Sequence, residues 1–453
     1  MSSLKLYVLS ANVALVAVLL FSPNPALAQY THWLNVNCVL TVDSPPTYAS
    51  IHAALTAATD RTGIYVYPGS VCNEQASVTN LTNIGIVTDQ GSTFKVVGNL
   101  SIQSSSSVYI YGAQVSNASG DGIDVSNGKA ITLDDCGSSN NSGLGLNLNA
   151  SEVTVNHLGI FDYNAGGGVV AGLDSTLYFS GWWPNTGVQF EMVGNVGSGL
   201  HLDRSVFEST GNTTIANTVP SGGGVFPDAF GLIAFGGSAG GLFGMTGPNV
   251  LNNNQGGGIF LAENSEFSVG GGQSWAPYPI TVQGNGPFGI FTEFGSQLTV
   301  FGGTQILDQT TAGVDIFSNS QAAIYGNNQI SHNGTGLDPS RSGILVEGNS
   351  HAYVRGATIS QNGGPGILNL VNSSVDLGNS TILSNMGGSV TCDGTAVLKS
   401  DLPSSVLGST SACRISAGAG NQRSSNPRTP LADQERWKAF IKKMRALTAA
   451  HNQ

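Results

Sequence analysis

The chain has 453 residues, of which only 9% are charged and 62 are glycine, and its formal net charge is −11. Apolar residues make up 40% of the chain, which is enough to form a sizeable core and excludes a disordered polar polymer. Residues 70 to 400 contain 22 acidic and six basic residues, a balance that repels polyanions and argues against a nucleic-acid partner.

Residues 1–28 have the pattern of a secretory signal peptide. Lys5 precedes an apolar run from Leu6 to Phe21, and small residues at Ala26 and Ala28 suit cleavage before Gln29. We therefore expect a secreted or cell-surface protein, periplasmic in a Gram-negative source. The alternative is an uncleaved membrane anchor.

Residues 29–69 are predicted to form an N-terminal cap segment. Ile51, Ala54, Leu55 and Ala58 fall on one helical face, which indicates a short amphipathic helix. A strand pattern from Gly63 follows. We expect the helix to close one end of the repeat region described next.

Residues 70–400 contain a repeat marked by a glycine that precedes a short apolar strand. Apolar residues alternate after each glycine, a turn of Asn, Gly and Ser follows, and two more strand segments complete the unit. Such units cannot bury their apolar faces singly, so they predict a stacked β solenoid. The intervals are 22 to 32 residues, and the glycines are Gly122, Gly145, Gly168, Gly199, Gly231, Gly258, Gly289, Gly313, Gly343, Gly366 and Gly388.

About eleven coils with strands about 4.8 Å apart predict a rod on the order of 50 Å long. The residue after each glycine should point inward, and this column breaks at Ser389, so we expect the rod to end near residue 400. The predicted inward column is Ile123, Leu146, Val169, Leu200, Leu232, Ile259, Ile290, Val314, Ile344 and Ile367.

The junctions between units, such as Ile359-Ser-Gln-Asn362-Gly-Gly-Pro-Gly, carry a resemblance to a known fold. Over roughly residues 45 to 400 the chain resembles the single-stranded right-handed parallel β-helix of the pectin lyase-like superfamily. The resemblance implies an all-β fold with three parallel sheets. Asn333, Asn362 and Asn385 stand at equivalent junctions, where we expect a stacked asparagine ladder.

Five cysteines remain after the signal peptide, and export makes disulfides plausible. Cys38 with Cys72 would fasten the cap, and Cys392 with Cys413 would fasten the segment that leaves the last coil. Cys136 is then unpaired. No metal-ligand spacing is present, so we predict no metal site and no cofactor.

Residues 401–430 read as a linker, and residues 431–453 as a basic amphipathic helix. The helix either packs on the acidic rod or contacts a protein or a membrane surface. Its apolar stripe consists of Trp437, Phe440, Ile441, Met444 and Leu447.

Two sets of titratable residues are considered as candidates for catalysis. His201, Asp203 and Arg204 lie on one predicted strand near Asn147 and Asn149, and could abstract a proton and hold an anion. The alternative is an exposed polar strand. Asp134 and Asp135, with Asp121 and Asp124, resemble the paired acids of polygalacturonases, but their spacing is too short, and we predict that Asp134 and Asp135 lie in a turn.

Aromatic residues in the inserted loops are candidates for glycan binding. Tyr178, Trp182, Trp183 and Trp275 could stack on sugar rings beside Asn147 and Asn149. The alternative is that Trp182 and Trp183 cover an apolar outer column. That column is formed by the second residue after each glycine and turns apolar at Ile233.

Two functional hypotheses follow. The first is recognition of an extracellular polysaccharide, neutral or weakly charged, with modification by a hydrolase or lyase reaction if the protein is an enzyme. The second is a non-catalytic surface or adhesive protein that uses the rod as a spacer and a partner-binding face. The first rests partly on analogy of fold, which is a weak guide to function.

Overall fold

The structure is a computed structural model that describes residues 30–180, 189–210, 212–221, 229–272, 276–336, 340–400 and 413–415. The predicted signal peptide, the body of the linker and the basic C-terminal helix lie outside these residues, as do Trp182, Trp183 and Trp275. Within the described residues the chain forms a right-handed parallel β-helix, and every strand pairs in parallel with the equivalent strand of the next coil.

Each coil contributes to three faces, which we call sheets 1, 2 and 3. Sheet 1 has thirteen strands in the described residues, two more than the eleven coils predicted, because the first two coils lack the marker glycine. The strands of sheet 1 are Ala76–Thr79, Leu100–Gln103, Ile123–Ser126, Leu144–Asn149, Gly167–Gly172, Leu200–Asp203, Phe230–Phe235, Gly257–Leu261, Phe288–Thr292, Ala312–Ile316, Ser342–Val346, Ile367–Asn369 and Val390–Cys392.

Sheets 2 and 3 are continuous with each other through two long strands, Ile131–Ser139 and Glu152–Ile160, which turn the corner between them. The other strands of sheet 2 are Thr47–Tyr48, His32–Val36, Thr62–Val66, Thr82–Val87, Ser106–Tyr111, Thr176–Ser180, Val206–Ser209, Ala239–Phe243, Glu266–Gly271, Gln297–Gly302, Gln321–Tyr325, His351–Arg355, Ser374–Gly378, Val397–Ser400 and Arg414–Ile415. The other strands of sheet 3 are Val71–Cys72, Phe94–Val97, Ala113–Ser116, Gln189–Val193, Thr213–Ala216, Asn249–Asn252, Ile280–Gln283, Gln305–Leu307, Gln329–Ser331, Thr358–Ser360 and Thr381–Leu383.

Helix α1 (Ile51–Ala57) lies where the cap helix was predicted. Ser50 caps it by accepting a hydrogen bond from the Ala53 amide, and the Glu74 carboxylate accepts from the amides of its first residues. Its buried residues Ile51 and Leu55 pack beside the first strand of sheet 1, so α1 covers that end of the tube. In the described part of the chain, no helix is long and apolar enough to cross a membrane.

The predicted inward column is confirmed residue by residue. From Ile123 to Ile367 each member pairs with the next and is fully buried. The predicted break at Ser389 is wrong, because Ile367 pairs with Val390 and Ser389 takes the place of the glycine. The apolar column therefore extends one coil further.

Polar ladders satisfy the corners of the tube. The Asn333 amide donates to the Asn362 side-chain oxygen at 3.1 Å, and Asn362 donates to Asn385 at 2.8 Å, so the predicted ladder is confirmed. Equivalent side chains in earlier coils continue it, from Asn141 to Gln309. The buried side-chain amides are thus hydrogen-bonded, and they satisfy backbone N–H and C=O groups that would otherwise have no partner in the core.

The two predicted disulfides are present. Cys38 and Cys72 join the cap to the first coils, and Cys392 and Cys413 join the last coil to the segment that follows. Cys136 is a free thiol, as predicted, and points into the core. Burial raises its pKa to about 12, so it behaves as a small apolar side chain rather than as a nucleophile.

Candidate functional site

The predicted catalytic set on sheet 1 is only partly brought together. His201 packs its ring 5.6 Å from Phe235, and Arg204 Nε lies 3.5 Å from Asp203 Oδ1 at the surface. Asn147 stands two coils away with Val170 between them, a separation of about 9.6 Å along the tube. This separation of two coils is the one that the glycine repeat predicted.

Asn147 and Asn149 belong to a different polar group. The Asn147 amide donates to Asp121 at 2.9 Å and to Asp124 at 3.2 Å, which ties together two acidic residues of the preceding coil. Asn149 pairs in register with Gly172. These contacts are internal to the polar first half of the outer face of sheet 1.

The second half of that face is buried and, apart from Asp315 between Phe291 and Leu345, mostly apolar, although its side chains point outward. Phe260 and Phe291 stack with their ring centroids 5.3 Å apart, and both are shielded from solvent. We call this set the outer cluster, and its members are Phe230, Ile233, Ala262, Phe260, Phe288, Phe291, Ala312, Leu345 and Leu368. This half of sheet 1 is not an open groove.

Sheet 2 presents a different outer face. Its outward residues form a continuous register column of 15 positions that starts at Trp33 and ends at Lys399. Tyr109, Tyr178 and Tyr353 are members, and Tyr178 is the one predicted glycan-binding aromatic in the described residues. We call the outer surface of sheet 2 the aromatic face.

Several rings on the aromatic face pack over glycines. A methyl group added at Gly63 would lie 2.7 Å from the Trp33 ring, and one added at Gly85 would overlap the Tyr30 ring. The rings of Phe243 and Phe301 cover Gly241 and Gly270 in the same way. Glycine is required at these positions because the ring occupies the space that a side chain would need.

The C-terminal part of the aromatic face forms a short platform. The rings of Phe301 and Tyr325 are 6.1 Å apart and inclined by only 17°, and Tyr325 is 40% exposed. In the next coil the Arg355 guanidinium lies 5.0 Å from the centre of the Tyr353 ring and donates to Asp376 at 2.8 Å. Flat rings beside charged and amide groups suit a sugar ring, which has apolar C–H faces and a rim of hydroxyls.

A cluster of titratable side chains lies where the N-terminal part of the aromatic face meets sheet 3. Asp134 is buried, and its two oxygens lie 2.6 Å from His157 Nδ1 and 2.9 Å from the Tyr109 hydroxyl, which donates to it. Asp135 is the next residue, has a left-handed backbone with φ of 53°, and lies beside Tyr111. We call these five side chains the Asp–His cluster.

The backbone explains why the cluster forms. The pairing of the two long strands shifts register between Asp134 and Cys136, so Asp134 faces Asn156, and Asp135 and His157 follow at the same corner of consecutive coils. The prediction that both aspartates lie in a turn is wrong, because both belong to the strand Ile131–Ser139, Asp134 as a buried residue and Asp135 at the register shift.

The cluster has the electrostatics of a polar site. Burial, and then the neighbouring Asp134 charge, raise the pKa of Asp135. Burial and Asp134 also raise the pKa of Tyr109 above its usual range, so that this hydroxyl stays protonated and keeps donating. Asp134 fixes the imidazole of His157 through Nδ1, and the His157 side chain is 35% exposed.

Sequence reasoning missed Tyr109, Tyr111 and His157 because it aligned the repeat on sheet 1. A signal for the aromatic face was present, since the twelfth residue after successive glycines is Gly270, Phe301, Tyr325 and Arg355. The Asp–His cluster has no such signal, because its members come from three coils around a bulge.

No protein-family model matches the chain, and no curated protein matches it. Among solved structures the chain is similar to the Azotobacter vinelandii mannuronan C-5 epimerase AlgE6 A-module, with 16% identity and a TM-score of 0.42, over 78% of this chain and 94% of that one. It is also similar to the siphovirus 9NA tailspike receptor binding domain, with 8% identity and a TM-score of 0.36, over 90% and 80% of the two chains. A third is the alginate lyase from Paenibacillus sp. str. FPU-7, with 10% identity and a TM-score of 0.31, over 60% and 94%. These are likenesses of fold alone.

Proposed function

We propose that the protein is secreted and recognises a neutral or weakly charged extracellular polysaccharide along the aromatic face. The observation that carries the proposal is the set of rings packed over glycines at Trp33, Tyr30, Phe243 and Phe301, all on one side of the tube. Two disulfides are compatible with an oxidising compartment.

The length and charge of the surface support a polymer rather than a small ligand. The aromatic positions extend from the first coil to the thirteenth of sheet 2, which at about 4.8 Å per coil is nearly 60 Å. The acidic excess of the rod opposes long polyanions, so a neutral or weakly charged chain fits best. If the polymer is modified, the Asp–His cluster on the same side is a better candidate for the chemistry than His201, Asp203 and Arg204.

Binding of the mature chain to a glycan array, followed by calorimetry on the best ligand, tests the proposal. We expect Phe301→Ala and Trp33→Ala each to weaken binding by roughly tenfold, the amount that an aromatic contact contributes. Tyr163→Ala is the matched control, because the Tyr163 ring also lies over a glycine, Gly194, but at the corner after sheet 3.

Absence of binding to any glycan would overturn the proposal and favour the spacer hypothesis. Equal losses in Tyr163→Ala and in the two aromatic-face variants would also overturn it, because the effect would then not belong to this face.

A further inference from the structure

We propose that Asp134, Asp135 and His157 form a binding site for one divalent transition-metal ion. One carboxylate oxygen from each aspartate and one ring nitrogen of the histidine all lie within 4.8 Å of one another. The three side chains come from adjacent coils, and two of them are consecutive in sequence, so the fold holds them together without a ligand.

The donor set selects the class of ion. Two carboxylate oxygens and one imidazole nitrogen suit zinc, cobalt or manganese, whereas calcium and magnesium prefer oxygen donors alone. His157 Nδ1 and Asp134 Oδ1 are 2.6 Å apart, and a proton lies between them. An ion that binds both atoms takes the place of that proton, which moves to Nε2 of the neutral ring.

Tyrosine hydroxyl groups lie next to the two carboxylates of the proposed site. Tyr109 donates to the second oxygen of Asp134 at 2.9 Å, and Tyr111 lies beside Asp135. Ligands fixed by such outer contacts bind metals more tightly, because their orientation is set before the ion arrives. Tyr111 is itself held, since its oxygen accepts from the Gly91 amide at 2.7 Å.

The charge of the cluster favours a cation. Two carboxylates are adjacent, and among the ion pairs of the described residues the only one that involves either of them is with His157. A divalent ion would neutralise both at once. The other grouping of this kind, Cys38, Cys72 and Glu74, is not comparable because its two sulfurs are joined in a disulfide.

Titration of the full mature chain with Co²⁺ tests the inference without any glycan, so that it can fail or succeed independently of the proposed function. We expect one site per chain by calorimetry and a visible absorption band from the bound ion. His157→Gln and Asp135→Asn should each weaken binding by at least tenfold, and Tyr109→Phe, which removes only the supporting hydroxyl, by about tenfold.

Asp124→Asn is the matched control, because it removes one carboxylate from the neighbouring acidic group on sheet 1 and should leave the affinity for Co²⁺ unchanged. No binding to the wild-type chain, or equal binding by His157→Gln and Asp135→Asn, would overturn the inference. Should these variants fail to fold, the wild-type chain still decides: saturating Co²⁺ must raise its thermal midpoint and a chelator must reverse the rise, and no rise would overturn the inference.

Discussion

The outer faces of sheets 1 and 2 both carry aromatic residues, but the rings on sheet 1 are buried and those on sheet 2 are partly exposed. On sheet 1, Phe260 and Phe291 meet each other and further apolar side chains in successive coils, and all are buried. On sheet 2, Phe301 and Tyr325 are neighbours in register, but Gly270 precedes them and Arg355 follows them, and both rings remain partly exposed. An outward aromatic residue in a repeat therefore does not by itself indicate a binding surface; its neighbours along the tube decide.

The largest expected effect comes from removing a ring of the outer cluster. Phe260→Ala should lower the free energy of unfolding by about 3–5 kcal/mol, because it leaves a cavity among buried side chains. Phe301→Ala should cost less than about half as much, since this ring is partly exposed. Urea unfolding midpoints of the two variants check the comparison, and equal shifts would contradict it.

A second difference concerns a buried acid on sheet 1. Glu293 is fully buried near the outer cluster, and burial, followed by the charge of Glu263, raises its pKa well above the ordinary 4.5. The folded state then binds the proton more tightly than the unfolded state, so wild-type stability should fall as the pH rises above about 4.5.

Glu293→Gln lacks this proton and should be more stable than wild type at pH 8 but similar at pH 4. Unfolding at pH 4, 6 and 8 measures the difference, with Glu266→Gln, an exposed acid, as the control. A wild-type advantage at pH 8 would contradict the assignment of a neutral Glu293.

A smaller effect separates the orientation of a ring from its presence. Gly270→Ala keeps Phe301 but places a methyl group where the ring lies, so the ring must tilt. We expect glycan affinity to fall several-fold while stability changes by less than about 1 kcal/mol. Gly172→Ala is the control, because a methyl group added at Gly172 would lie 3.8 Å from its nearest neighbour, the Leu148 carbonyl oxygen, and should change neither glycan affinity nor stability. A matching loss of affinity in Gly172→Ala would show that ring orientation is irrelevant.

The smallest effect should come from the ion pair at the end of the aromatic face. Asp376→Asn removes the partner of Arg355, and because both side chains are 31% exposed, we expect a loss of less than about 1 kcal/mol. The loss should shrink further at 1 M salt. A loss of several kcal/mol at either salt concentration would mean that this part of the face is covered.

Much of the fold could be predicted from local pattern. Ile259, Ile290 and Val314 are nested in register because their alternation with polar residues fixes which side points inward. The disulfide pairs were predictable because each joins a terminal segment to the nearest coil. The last coil was misjudged, since Ser389 replaces a glycine that had served as the marker.

The Asp–His cluster could not be predicted in the same way. Tyr109 and His157 are 25 and 23 residues from Asp134, and the bulge after Asp134 decides which side chain meets which. A shift of one residue at that corner would turn Asp134 away from both partners.

The amino-acid sequence alone determined the stacked coil, its inward aliphatic column and its asparagine ladder, because each depends on spacing within the repeat. It also determined the two disulfides, because each joins a terminal segment to the nearest coil. Only the tertiary structure decided that the outer face of the second half of sheet 1 is buried, and that the outer face of sheet 2 carries rings packed over glycines. It also decided that Asp134 contacts His157. These features depend on which side chains of different coils become neighbours. Insertions and a bulge determine those neighbours, and the spacing of the repeat does not.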